Sequence, residues 1–158
     1  MSDFDSYRDI LEFAIAREQD AFEFYNALAQ RSTNSAISFF FDGLAKQEVE
    51  HKETLELELM KSGSVVLNAG KPSAQNISTE EYISRFFVDP GGGLDMAIED
   101  VLMLAIRKEK ASFRLYVDLA AMVDSPQSRE TLLLLAEEEA RHKTIFEIEY
   151  EKTISGEV

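Results

Sequence analysis

The chain has 158 residues, which suits one domain (residues 1–158) around a single hydrophobic core. It contains no Cys, which excludes disulfides, thiolate zinc sites, iron–sulfur centres and a catalytic thiol. The net charge is −14, from 16 basic and 30 acidic residues, so nucleic acid and anionic membrane surfaces are poor partners and cations are attracted.

Gly (7) and Pro (3) are scarce and 45 % of residues are apolar, so few turns are encoded and long helices are expected. Met1 to Asp5 lacks a basic stretch leading into an apolar run, so no secretory leader is expected. No run approaches the length of a membrane span, and a cytoplasmic location is expected.

Four long helical patterns follow one another. The first spans about Ser6 to Gln30 and places Leu11, Ala14, Ile15, Glu18, Phe22, Tyr25 and Ala29 on one stripe. The second follows Asn34 as N-cap and extends to about Lys61, with Ile37, Phe41, Leu44, Ala45, Glu48, His51 and Leu55 on its stripe. Residues 62–93 form a long connection, in which Ser78 to Glu81 starts a short helix over Tyr82 to Val88. The third helix is predicted from Leu94 to Val123. The fourth has Ser125 as N-cap and Pro126 at its first position, and ends before Gly156. Two short joints and one long one predict helix pairs 6–61 and 94–154 in an all-α antiparallel four-helix bundle with one crossover between helices 2 and 3.

The first helix pair falls on the second when the chain is shifted by 91 positions, without a gap. Leu11 meets Leu102, Ala14 meets Ala105, Phe22 meets Phe113, Tyr25 meets Tyr116, and Leu44 meets Leu135. Glu18 likewise meets Glu109, Glu48 meets Glu139, His51 meets His142, and Lys52 meets Lys143. Doubled Leu and Ala are core positions and need no further account. Glu and His doubled on the same stripe do. Each Glu-x-x-His pair projects to one side of its helix. Glu18 and Glu109 sit mid-helix among apolar neighbours, where a bare charge costs several kcal/mol or more (on the order of the buried-ion penalty). Two divalent cations would neutralise the four carboxylates, with neutral imidazoles completing the coordination. One Glu from each of two helices plus a Glu-x-x-His from each of the other two is the ligand set of di-iron and di-manganese carboxylate bundles. Mixed oxygen and nitrogen donors suit Fe or Mn, and Zn can substitute.

Tyr25 and Tyr116 each follow a ligand Glu by seven residues, about two turns. They can donate hydrogen bonds to ligand carboxylates or serve as core residues. Lys52 and Lys143 are expected to face solvent. Phe39-Phe40-Phe41 and Leu132 to Leu135 cannot all face one core, so part of each run covers the bundle or forms a subunit interface.

Ile15-Ala16-Arg17-Glu18 with Tyr25, Glu48-Val49-Glu50-His51, Leu104 to Glu109 with Tyr116, and Glu139-Ala140-Arg141-His142 resemble rubrerythrin, in the ferritin-like superfamily. The resemblance covers nearly the whole chain, and only that family's di-iron domain. It implies that Glu48 and Glu139 bridge two irons, with Glu18 and His51 terminal on one and Glu109 and His142 on the other. It implies reduction of hydrogen peroxide by the di-ferrous site, which then needs two electrons back; dioxygen is the other oxidant expected, lack of a rubredoxin-like domain makes the donor a separate protein or a small reductant, and a homodimer is expected. Two departures stand out. Rubrerythrins typically carry an extra Glu three residues after the third-helix ligand, where this chain has Ser112 (repeat mate Ala21), so a more symmetric site is expected. The rubredoxin-like domain needs four Cys, and the chain has none.

Three functions are compatible with this reading: a redox enzyme acting on peroxide or dioxygen, a ferroxidase and iron-handling protein of bacterioferritin type, and a non-enzymatic helical interaction protein. The absence of room for a fifth helix before Val158 counts against a large storage cage, and Met60 at the end of the second helix offers no haem site. Other di-metal oxidations, including oxygenase and manganese catalase chemistry, complete the set.

Overall fold

A computed structural model describes residues 7–32, 35–61 and 98–156. Four α-helices account for nearly all of them: α1 (Tyr7–Arg31), α2 (Ser35–Lys61), α3 (Ile98–Met122) and α4 (Pro126–Ser155). The C-terminal bound of α3 is that of α1 moved by 91 positions (31 to 122). The internal repeat is therefore a repeat of structure as well as of sequence.

Local signals fix the ends of α4. The Ser125 hydroxyl accepts from the Ser128 backbone N–H at 3.3 Å, and Pro126 fills a position whose N–H would lack a helical partner anyway. Gly156 closes the helix with φ +79°, a left-handed conformation that an L side chain would strain. The predicted cap at Asn34, the short helix over Tyr82 to Val88, the start of the third helix at Leu94 and the crossover lie outside the described residues.

Each hairpin, α1 with α2 and α3 with α4, is tightly packed along its length. Two apolar clusters then join the hairpins. One gathers Ile10, Leu11, Leu55, Leu115, Leu119 and Leu132. The other gathers Phe24, Tyr25, Phe41, Leu44, Leu102 and Phe146. The first cluster draws on the N-terminal half of α1, the C-terminal half of α3, the C-terminal part of α2 and the N-terminal part of α4. The second draws on the opposite halves. All sequential neighbours are thus antiparallel, as the short joints predict. Burying each large apolar side chain contributes roughly 1.5–3 kcal/mol, and both clusters exclude water from the waist between them. Phe146 is stacked on Tyr25 and Phe41, with ring centroids 5.8 and 6.4 Å apart.

The doubtful apolar runs divide by helical period. Leu132 and Leu135 are buried while Leu133 and Leu134 are exposed; Phe41 is buried, Phe40 is half-buried, and Phe39 points outward at 81 % exposure. Ile37 and Phe113 were expected on the inner stripe and instead sit at its exposed margin. Ile15 and Phe22 are half-buried, because the inner face of α1 is centred on Ile10, Ala14, Arg17, Glu18, Phe24 and Tyr25. No described helix is long and apolar enough to cross a membrane.

Candidate metal centre

Glu18, Glu48, His51, Glu109, Glu139 and His142 meet at the waist between the two apolar clusters, and all six are buried, at 3 % exposure or less. They form two groups. In one, Glu18, Glu48, His51 and Glu139 each offer a ligand atom, all within 4.8 Å of one another. In the other, Glu48, Glu109, Glu139 and His142 do the same. Glu48 and Glu139 belong to both groups. The remaining members pair as Glu18 with His51 and Glu109 with His142, which is the division that the resemblance implies.

Both imidazoles present Nδ1 to the carboxylates. His51 Nδ1 lies 2.6 Å from Glu139 Oε1 and 3.7 Å from oxygens of Glu18 and Glu48. His142 Nδ1 lies 3.5 Å from oxygens of both Glu48 and Glu109. The rings are nearly parallel, with centroids 6.1 Å apart. Yet both Nδ1 atoms, both Glu139 oxygens, Glu48 Oε1, Glu18 Oε2 and Glu109 Oε2 are buried without a hydrogen-bond partner. Buried polar atoms are normally satisfied, and these seven are lone-pair donors clustered around common points. That is the pattern of a ligand set, and the residues present fit a pair of divalent ions.

The other oxygens of Glu18 and Glu109 are occupied. Tyr25 Oη donates to Glu109 Oε1 at 2.6 Å, and Tyr116 Oη donates to Glu18 Oε1. Each tyrosine reaches across to the glutamate of the opposite hairpin, so the two bonds are repeat mates. Burial first, then the nearby carboxylate charge, holds both phenols well above their usual range, so they stay protonated donors.

Two residues missed by the sequence reading complete the centre. His51 Nε2 is hydrogen-bonded to Glu138 Oε2, and His142 Nε2 to Gln47 Oε1. Gln47 and Glu138 are themselves separated by 91 positions and each immediately precedes a shared glutamate, a signal the sequence does contain. Arg17 and Lys108, another repeat pair, are buried beside Glu18 and Glu109. Arg17 is paired with Asp20, and the Lys108 ammonium lies 5.2 Å from the centre of the Phe24 ring. Lys52 is half-buried and bonds Gln19 at 2.9 Å, whereas Lys143 pairs with Glu147 at 3.0 Å.

Without metal the cluster binds protons. Burial, then the charge of the neighbouring glutamates, raises Glu48 and Glu139 well above the carboxylate range. Burial pushes Glu109 up as well, but the close approach of Glu139 and His142 outweighs it and holds Glu109 low. Burial alone would lower His51, but Glu18, followed by Glu48 and Glu138, pushes it up to about 10. Groups with a raised folded pKa stabilise the fold below their unfolded value, and that contribution is lost as pH rises through the folded value. The metal-free fold therefore loses stability from Glu48 and Glu139 as pH climbs above about 4.5, and from His51 between about 6.5 and 10. Metal displaces the same protons, so its apparent affinity rises with pH. Calorimetry between pH 5 and 8 should show the gap in Tm between metal-loaded and metal-free protein widening with pH; a gap that narrows would contradict this assignment of protons.

Antiparallel helices meeting at a buried waist of four glutamates and two histidines define a ferritin-like carboxylate bundle. The rubrerythrin family model matches residues 9–86 and 100–158. The chain belongs to the rubrerythrin family. Two solved structures share its fold. A Thermotoga maritima protein, described as a candidate ferritin-like diiron-carboxylate protein, superposes with TM-score 0.71 at 23 % identity, over 97 % of this chain and 99 % of that one. A hypothetical protein from Pyrococcus furiosus superposes with TM-score 0.68, also at 23 % identity, over 96 % and 92 %. No curated protein matches the chain.

Proposed function

We propose that this centre holds two iron ions and reduces hydrogen peroxide or dioxygen, with electrons returned by a separate donor protein. The observation that carries the reading is the sharing of Glu48 and Glu139 between two ligand groups, each completed by its own Glu and His. Glu18 and His51 would hold one ion terminally and Glu109 and His142 the other. Two ferrous ions side by side supply both electrons of a peroxide reduction without releasing a radical.

The chain's own residues set the conditions for that chemistry. Tyr25 and Tyr116 fix the orientation of Glu109 and Glu18 and keep a phenolic proton beside the centre. The two apolar clusters keep bulk water out. A chamber of about 10 Å³ reaches the centre between α1 and α3, lined by Tyr25, Glu48, Glu109, Ser112 and Glu139, with Arg17 and Lys108 beside it. That is room for about one water-sized molecule, which favours a small oxidant over an organic substrate.

Anaerobic loading with Fe(II), followed by stopped-flow mixing with peroxide or with dioxygen, tests this reading. The expected result is two irons per chain, oxidised rapidly by at least one of the two oxidants and re-reduced by an added electron donor. Many soluble ferric ions per chain would establish iron storage instead. Absence of iron binding would leave the helical interaction reading.

A further inference from the structure

The two halves of the centre match in every ligand and differ in what stands behind the imidazoles. His51 Nε2 meets a carboxylate, Glu138, whereas His142 Nε2 meets a neutral amide, Gln47. From these contacts we infer that Glu138 and Gln47 are positioning residues that make the two metal positions unequal, so that the Glu18–His51 position fills before the Glu109–His142 position. The inference rests on the proposed two-ion centre.

Each ring turns Nδ1 inward to the carboxylates, so in the ligating tautomer the proton resides on Nε2 and points outward. At His51 that N–H donates to a charged acceptor. A charge-assisted bond of this kind is roughly twice as strong as one to a neutral acceptor, and it draws positive character out of the ring, leaving Nδ1 a better donor to a cation. At His142 the acceptor is the Gln47 oxygen, which fixes the ring with a weaker pull. The carboxylate also adds a negative charge close to one position alone. Outer partners of ligating histidines typically change metal affinity about 10–100-fold. Glu138 is 42 % exposed, and Arg141 stands 4.0 Å from its second oxygen. Solvent and that guanidinium damp the difference, placing it near the lower end of the range. Both residues border an open groove of about 690 Å³ between α2 and α4, so neither is fixed there by a packed core and each can be exchanged without leaving a cavity.

The chain has only two histidines, which makes the test direct. Protein labelled with 15N-histidine is titrated with Zn(II), a redox-silent probe, and the ring nitrogens are followed by NMR; His142→Ala assigns the signals. The wild-type His51 Nδ1 resonance is expected to reach its bound position near one equivalent and that of His142 near two, with stepwise constants about tenfold apart. In Glu138→Gln the separation should shrink by about tenfold, and in the double variant Gln47→Glu/Glu138→Gln the order should reverse. If both rings respond to zinc but the order is unaffected by either variant, the inference fails while the two-ion centre stands. If neither Nδ1 resonance moves, both fail together.

Discussion

Protein carrying Glu48→Ala is expected to leave purification with far less bound metal than the wild type, while its helical circular dichroism stays nearly unchanged. Glu48 is common to both ligand groups, so its removal takes an oxygen donor from each ion at once. The loss in affinity should exceed the roughly 10–100-fold that partners one step further out contribute. Alanine is the strongest helix former, and the deleted carboxylate is one that burial and Glu139 already hold in an unfavourable place. The helix therefore has no reason to melt. His142→Ala is expected to behave alike but more selectively, removing a donor from the Glu109 position alone. Iron stoichiometry by elemental analysis, measured beside far-ultraviolet dichroism, gives the answer. Unchanged iron in both variants would rule out the ligand assignment.

Glu139→Gln should produce the opposite sign in two states of the same molecule. Glu139 is fully buried, and both of its oxygens are without hydrogen-bond partners. Without metal, its burial and the charges of Glu109 and Glu18 all oppose ionisation. Glutamine keeps the shape and removes the charge, so it imitates the protonated acid without creating a cavity. Replacing poorly compensated buried charge by neutral groups is often stabilising by about 1–4 kcal/mol, and each kcal/mol is worth roughly 2–4 °C in a chain of this size. In chelator at pH 7 the variant should melt several degrees above the wild type, an advantage that fades toward pH 4, where the carboxyl is protonated in the unfolded chain too and folding no longer has to take up a proton. With iron present the order should invert, because the wild type binds the ions more tightly and gains more stability from them. A metal-free variant that melts lower than the wild type would mean that this carboxylate is not the burden its surroundings indicate.

Much of this arrangement is legible in the residues. Helix positions follow from the stripe carrying Leu11, Ala14, Glu18 and Tyr25, and the shift of 91 doubles that stripe so that Glu18 falls on Glu109 and His51 on His142. Carboxylates repeated on an otherwise oily face have few physical explanations, which is why the cluster could be anticipated before any coordinates. Finer features depend on the angle at which helices cross. Glu18 and Tyr25 share a face of α1, yet Tyr25 serves Glu109 and not Glu18, a choice set by the opposing hairpin. Ile37 and Phe113 continue the apolar period but lie where the bundle runs out of partners. Gln47 and Glu138 were overlooked because they sit one residue off the inner stripe, at a helix edge that only the facing imidazole gives a purpose.

The phenol-to-carboxylate bonds cross from one helix pair to the other and back, so the fold is a near-twin joined within one polypeptide. A molecule assembled from two separate identical copies of the first hairpin would have to alter both copies whenever it altered one. Covalent fusion lifts that constraint: Arg17 opposite Lys108, Ala21 opposite Ser112 and Gln47 opposite Glu138 are substitutions available only to a chain whose halves can drift independently. The ligands are identical in the two halves while their surroundings differ, and differences of that kind give a twofold scaffold a front and a back.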